Sequence, residues 1–307
     1  AKLRGLLQQY HQGKHPLPGI KTEERKTSFV EQLIESLRRI EYVHLLRKRT
    51  IIQECKDPHH LAFNPLKAAI LYKMEGNLDE AFWVTFLATH FGYHPQDGWR
   101  LMQDVYAGYT RNGVWTWTRT AQNLPAFDKW ISDYADWLGQ SEFNRRFGNH
   151  RRYETLVTKN GQGAFNTINA YIRLVGHNQG HERFFESFRN SDGSACTPTQ
   201  LFDEVFFVMN RNIPRFARLA VFDFLTMVGK LGLWNITPAS PYIAQSSGPK
   251  RGAELLFFGG SEGKVTGTQL NALVMDLAKN LGVGMQEMED ALCNWQKSPD
   301  NFIPFRG

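Results

Sequence analysis

Asp223 lies in the run Val221-Phe-Asp-Phe-Leu225, within a stretch from Phe216 to Leu233 whose apolar spacing predicts a helix. Its helical neighbours three and four positions away are Leu219, Ala220, Thr226 and Met227. A carboxylate on such a face loses hydration, which raises its pKa unless a cation or hydrogen-bond donors compensate. Asp223 is therefore a candidate general base or stabiliser of positive charge; a buried carboxylate paired with an arginine is the alternative. Near the C-terminus, Glu287, Asp290 and Asn294 recur at i, i+3 and i+7 and share one helical face. Glu289 and Gln296 lie on another face, with Trp295 adjacent. Polar groups of this kind could read a base edge while the indole stacks on it; simple solvent exposure is the alternative. No histidine accompanies these acids, so no metal site is expected there.

Cations and histidines gather elsewhere. The string Phe147-Gly-Asn149-His150-Arg151-Arg152-Tyr153-Glu154 places Asn149 as a helix cap, with cationic and aromatic groups on the turn that follows. His90 ends an earlier helix in Ala88-Thr-His-Phe-Gly92. The loop Ser246-Ser247-Gly248-Pro249-Lys250-Arg251-Gly252-Ala253 opens a helix. Its backbone N–H groups, the helix dipole, Lys250 and Arg251 suit a phosphate. The P-loop spacing is missing, and a tight turn with exposed cations is the alternative. Thr199 to Asn210, then Arg211-Asn-Ile-Pro-Arg215, then Phe216 to Leu233 read as helix, short hairpin, helix, a unit whose hairpin N–H groups can meet one phosphate of a DNA strand. The Gly-x-Gly common in such hairpins is absent, and an ordinary helix pair remains open.

The elements that must position these residues are helical almost throughout. Apolar stripes predict helices over Ser28 to Arg49, Asp79 to Phe91, Gln96 to Tyr109, Pro125 to Leu138, Ala164 to Val175, Leu270 to Leu281 and Met285 to Trp295. Asn64-Pro65 predicts another N-terminus, with the amide as cap and the proline in the first turn. Trp115-Thr-Trp117-Thr alternates and is the one strand candidate. No βαβ rhythm appears, so the fold class is all-α, a helical bundle. The polar, Gly-rich loops Gly176 to Gly180 and Asn190 to Ala195 suggest a division into residues 1–190 and 191–307, packed as one globular unit.

Several strings together resemble a known family: Phe63-Asn-Pro-Leu-Lys-Ala68, Phe86-Leu-Ala-Thr-His90-Phe-Gly92, Asp97-Gly-Trp99, Phe147-Gly-Asn-His150, Phe222-Asp-Phe224 and Glu289-Asp-Ala-Leu-Cys-Asn-Trp-Gln296. They look like the alpha-glutamyl/putrescinyl thymine pyrophosphorylase-like proteins over nearly the whole chain. The resemblance implies a relation to phage DNA hypermodification, to defence against modified phage DNA, and to helix-hairpin-helix DNA glycosylases, including those that remove alpha-glucosylated hydroxymethylcytosine. It implies flipping of a modified nucleotide and hydrolysis of its N-glycosidic bond, with a carboxylate stabilising the sugar cation. Strand-cutting glycosylases use a lysine near the second hairpin helix; this chain reads Arg215-Phe-Ala-Arg218 there. An arginine is a poor nucleophile, so an abasic-site product without a lyase step is implied. The Pro-x-Asp acid of glycosylases has no counterpart at Pro238-Ala239-Ser240, which leaves Asp223, Glu289, Asp290 and Glu154 as candidates. The base pocket is then expected from His90, Asn149, His150, Tyr153, Glu154, Asn294 and Trp295. Phosphate contacts are expected from Arg151, Arg215, Arg218, Ser247, Gly248, Lys250 and Arg251. A transferase or pyrophosphorylase that builds a hypermodified thymine, and a non-catalytic reader of modified DNA, are the rival readings.

Composition bounds these expectations. The 307 residues carry 36 Lys+Arg against 30 Asp+Glu, a formal charge of +6, which favours an anionic partner such as DNA only weakly. At 42% apolar residues the chain can build a core. No apolar run reaches the roughly 18 residues of a membrane span. Cys55, Cys196 and Cys293 are odd in number and far apart, which argues against a disulfide framework. The expectation is a cytoplasmic monomer without cofactor or metal, whose partner is DNA carrying modified bases, as in a phage genome.

Overall fold

The computed structural model describes residues 1–109, 113–157, 163–176, 180–260 and 265–305. Among them the chain forms fourteen α-helices. In order these are α1 (Lys2–Gly13), α2 (Glu23–Leu46), α3 (Pro65–Met74), α4 (Leu78–Phe91), α5 (Arg100–Ala107), α6 (Trp117–Gln122), α7 (Leu124–Gln140), α8 (Ala164–Val175), α9 (Gly180–Glu186), α10 (Pro198–Asn212), α11 (Arg218–Lys230), α12 (Gly248–Phe258), α13 (Gly267–Leu281) and α14 (Met285–Trp295). Extended pairing among the described residues is limited to the isolated bridges His94–Gly98 and Arg189–Ala195. The protein is all-α. Local chemistry accounts for many helix starts. Asn64 accepts from the N–H groups of Leu66 and Lys67 ahead of Pro65, and Thr197 with Gln200 and Thr266 with Gln269 close capping boxes.

The helices group into two compact units, Ala1–Leu45 with Pro238–Arg306, and Leu46–Thr237. This division differs from the boundary at residue 190 that the loops suggested. The polar loop at Asn190 is a small local hairpin, in which Asn190 N–H donates to the Ser194 carbonyl, rather than a linker. In the larger unit α4 is buried along nearly its whole length and packs on α3, α5, α6, α9 and α11. In the other unit α1, α2, α12, α13 and α14 share a core that includes Leu7, Phe29, Leu256, Val274, Leu292 and Trp295. Gly252 allows α12 to lie against α14, because a Cβ there would collide with the Leu292 carbonyl.

One sequence expectation is corrected. Trp115–Thr118 is not a strand: Thr116 caps α6 by accepting from Arg119 N–H, and the Trp115 carbonyl accepts from Trp83 Nε1 at 2.8 Å. The Trp-Thr alternation reflects two buried indoles on either side of a helix cap, not a pleat.

Candidate functional site

The site forms in the larger unit where three pieces of chain meet. The first is the C-terminal end of α4. The second is a 3₁₀ turn, Asn149–Arg151, laid over it by a close backbone crossing. Gly148 N–H donates to the Phe91 carbonyl at 2.8 Å, and a Cβ on Gly148 would come within 2.8 Å of Gly92. Only glycine fits that approach. The third is α11 with the connection that precedes it, where Phe216 is buried as an anchor.

Asp223 lies between the buried Phe222 and Phe224 on α11 and keeps 29% of its side chain exposed. Its Oδ2 is 3.4 Å from His150 Nδ1 and 3.7 Å from an Arg151 terminal nitrogen. His150 is 37% exposed, whereas Arg151 is buried. Arg151 is fixed from several sides. Its Nε donates to the Thr89 carbonyl at 3.2 Å, its Nη1 donates to the His150 carbonyl at 3.1 Å, and its guanidinium lies 5.7 Å from the Phe216 ring centre. Burial pushes the Asp223 carboxyl upward, but the His150 hydrogen bond and the charges of His150, Arg151 and Lys230 outweigh it and hold the pKa below the usual value. The expected upward shift is thereby reversed, because the cations that the sequence left open are present. Asp223 is an anion at neutral pH, reachable from solvent and backed by a fixed positive group. Lys230 is seven residues after Asp223, a same-face spacing that was readable in the sequence.

The other expected residues of this region fall close by, in different settings. Arg215 Nε is 2.8 Å from Glu154, which is nearly buried, and Arg215 Nη2 donates to the Tyr153 carbonyl at 2.8 Å. Glu154 is thus engaged with a cation. Arg215 holds φ +60°, a left-handed conformation that costs an L-residue about 1–2 kcal/mol. Arg218 is buried, with its guanidinium 5.0 Å over the Phe222 ring. His90 is fully buried behind the site, 6.0 Å from Phe86 and 6.2 Å from Phe216 between ring centres. Burial, together with the charges of Arg151 and Arg215, pushes its pKa down to about 3, so it is neutral. Neither of its ring nitrogens has a hydrogen-bond partner among the described residues. The Asn149 side chain lies outside what is described.

The remaining expected residues belong to the other unit. Trp295 is fully buried against Phe29 and donates from Nε1 to the Pro299 carbonyl at 3.1 Å, so it offers no free face for a base. Glu289 is buried too. Asp290 accepts from Ser36 Oγ at 3.2 Å and pairs with Arg39 at 3.5 Å. Asn294 donates to the Asp290 carbonyl at 3.0 Å and accepts from Lys297. Ser247 precedes α12, Gly248 begins it, Lys250 stands 3.8 Å from Glu254, and Arg251 is exposed. The structure therefore brings Asp223, His150 and Arg151 together, with Tyr153, Glu154, Arg215 and His90 beside them. Among the described residues, no group of three or more His, Cys, Asp or Glu could hold a metal ion, and no helix is long and apolar enough to cross a membrane.

An all-helical scaffold presenting an ionised aspartate between a histidine and a buried arginine defines a site suited to stabilising positive charge on a polar substrate. The chain belongs to the alpha-glutamyl/putrescinyl thymine pyrophosphorylase family, clade 3, whose model matches residues 24–307. The family resemblance seen in the motifs stands. No curated protein and no solved structure matches the chain.

Proposed function

We propose that this protein is an enzyme acting on a hypermodified base in DNA, and that it hydrolyses the N-glycosidic bond to leave an abasic site. One observation carries the reading: Asp223 is ionised, open to solvent, and held between His150 and the buried Arg151. As the bond from C1′ to the base nitrogen breaks, its electron pair leaves with the base and positive charge develops on the sugar. Asp223 stabilises that charge. Water then adds at C1′ and gives up a proton to the exposed Asp223 carboxylate, while the departing base anion takes up a proton from solvent. Arg151 keeps the carboxylate anionic and in place. The extruded nucleotide is an anionic, polar ligand, which suits the charges of Arg151 and Lys230 around the aspartate. Family membership supports a modified base as the substrate class, and defence against phage DNA is the setting this would serve.

Purified protein incubated with alpha-glucosyl-hydroxymethylcytosine DNA is expected to release the base and leave alkali-labile sites. Asp223→Asn is expected to lower the rate about 10²-fold or more. Absence of release from this DNA, and from DNA carrying glutamyl- or putrescinyl-thymine, at concentrations where the protein binds, would remove the reading. The family description favours a second one, a transferase that builds such a thymine and releases pyrophosphate. The same cations suit a pyrophosphate leaving group, and dependence on an amino acid or polyamine donor distinguishes this reaction.

A further inference from the structure

We propose that Tyr153 is a wedge residue, whose ring takes the place of the extruded nucleotide in the base stack while Arg152 holds the ring and meets the backbone. The proposal rests on Asp223 being the carboxylate that faces an extruded nucleotide. Tyr153 lies three residues after His150, so at most about 10 Å of extended chain separates it from the groups that touch Asp223. Its ring does not serve the core: the residue is 73% exposed. Its backbone, by contrast, is anchored. The carbonyl accepts from Arg215, which is paired in turn with the nearly buried Glu154. Arg215 keeps a left-handed φ of +60°, a conformation that persists only where the surroundings impose it. A rigid base thus carries a projecting aromatic ring.

Arg152 completes the feature. Its guanidinium lies 4.8 Å over the Tyr153 ring, and its Nη2 donates to the Tyr153 hydroxyl at 2.6 Å. Ring and guanidinium, one over the other, form an exposed cationic surface. Such a surface can stack on a base through its π-face and neutralise a phosphate through its charge. Extruding a nucleotide from a duplex costs unstacking, and a side chain that fills the gap offsets part of it. A ring that stacked on the target base itself would act equally on single strands, and this difference separates the two roles.

The test uses the full-length protein and an oligonucleotide with one alpha-glucosyl-hydroxymethylcytosine and an adjacent 2-aminopurine, both as a duplex and as an unpaired strand. Tyr153→Ala is expected to lower the duplex to single-strand ratio of base-release rates at least about tenfold. It is also expected to abolish the 2-aminopurine fluorescence rise that wild-type protein produces on the duplex, while Tyr153→Phe preserves it. Equal losses on duplex and single strand, or an unchanged fluorescence rise in Tyr153→Ala, would overturn the wedge. If wild-type protein releases no base from either substrate, the glycosylase reading falls. The fluorescence arm still decides the wedge: a rise lost in Tyr153→Ala supports it, and no rise with wild-type protein overturns it. The ring is exposed, so the variant should fold, and an unchanged melting temperature confirms that.

Discussion

Asp223 on α11 and Glu80 on α4 belong to the same unit, and both carboxyls leave water on folding, yet they titrate in opposite directions. Glu80 is buried and accepts from the Tyr106 hydroxyl at 2.6 Å and from Trp117 N–H at 2.9 Å. Burial pushes its pKa up to about 7, although those two hydrogen bonds pull the other way and Asp79 adds to the rise. Asp223 is less enclosed and has His150, Arg151 and Lys230 around it, so its pKa falls. The difference teaches that two neutral donors do not replace a cation when a carboxylate is desolvated. Glu80 is built for structure, tying α4 to Tyr106 and to the start of α6. Asp223 stays charged and partly exposed to solvent.

The sharpest way to break the comparison is to neutralise each acid in turn. Asp223→Asn should lose about 10²-fold or more in base release, whereas Glu80→Gln should stay within about threefold of wild type, measured on the same DNA at one temperature. Comparable losses would mean that Asp223 has no special place. Arg151→Met keeps the length of the side chain and removes the charge. It should cost about 2–4 kcal/mol in urea unfolding at pH 7, because it removes one of the cations around Asp223 and the donor to the Thr89 carbonyl. Asp223 has a lowered pKa, so its stabilisation exists above its unfolded-state value and fades as pH falls through the folded value. The penalty of Arg151→Met should therefore shrink in acid.

Glu80 has the reverse sign. Its raised pKa gives stability that is full below about pH 4.5 and is lost as pH rises through about 7. Unfolding free energy should drop by about 3 kcal/mol across that window from this group alone. Glu80→Gln should flatten the slope, at a cost of about 1–3 kcal/mol at pH 5, because the amide has one acceptor oxygen where Tyr106 and Trp117 each donate to a separate carboxyl oxygen. An unchanged slope would show that Glu80 titrates normally. The smallest effect is expected at His90. His90→Leu removes two buried nitrogens without partners among the described residues and should leave stability within about 1 kcal/mol of wild type, or above it. A larger loss would assign His90 a hydrogen bond essential to the fold.

Elements set by local chemistry were legible in the sequence. The spans Ala164–Val175 and Met285–Trp295 match the helices formed, and Asn64-Pro65 begins α3 as its capping chemistry requires. These signals depend on residues three or four apart, which share a helix face whatever else the chain does. The Trp115–Thr118 alternation misled because a period-2 pattern also arises when two indoles flank a cap. The loop from Ser246 to Ala253 suggested a phosphate site, but within it Gly252 serves the packing of α12 on α14. Trp295 suggested a stacking platform, yet it fills a core that is assembled from α1, α2, α12 and α13 as well as its own helix.

The sequence by itself determined the helical class, several helix ends, the family, and the short list of residues able to do this chemistry, since each rests on spacing or on strings contiguous in the chain. Only the tertiary structure decided which of those residues meet. Asp223 and His150 are 73 positions apart, and no periodicity links them. They come together because two glycines, Gly92 and Gly148, let one backbone cross another closely enough to set a histidine and an arginine over α11. The charge state of Asp223 follows from that crossing. A carboxylate's pKa depends on the groups within a few ångströms of it, and distance along the chain does not report those distances.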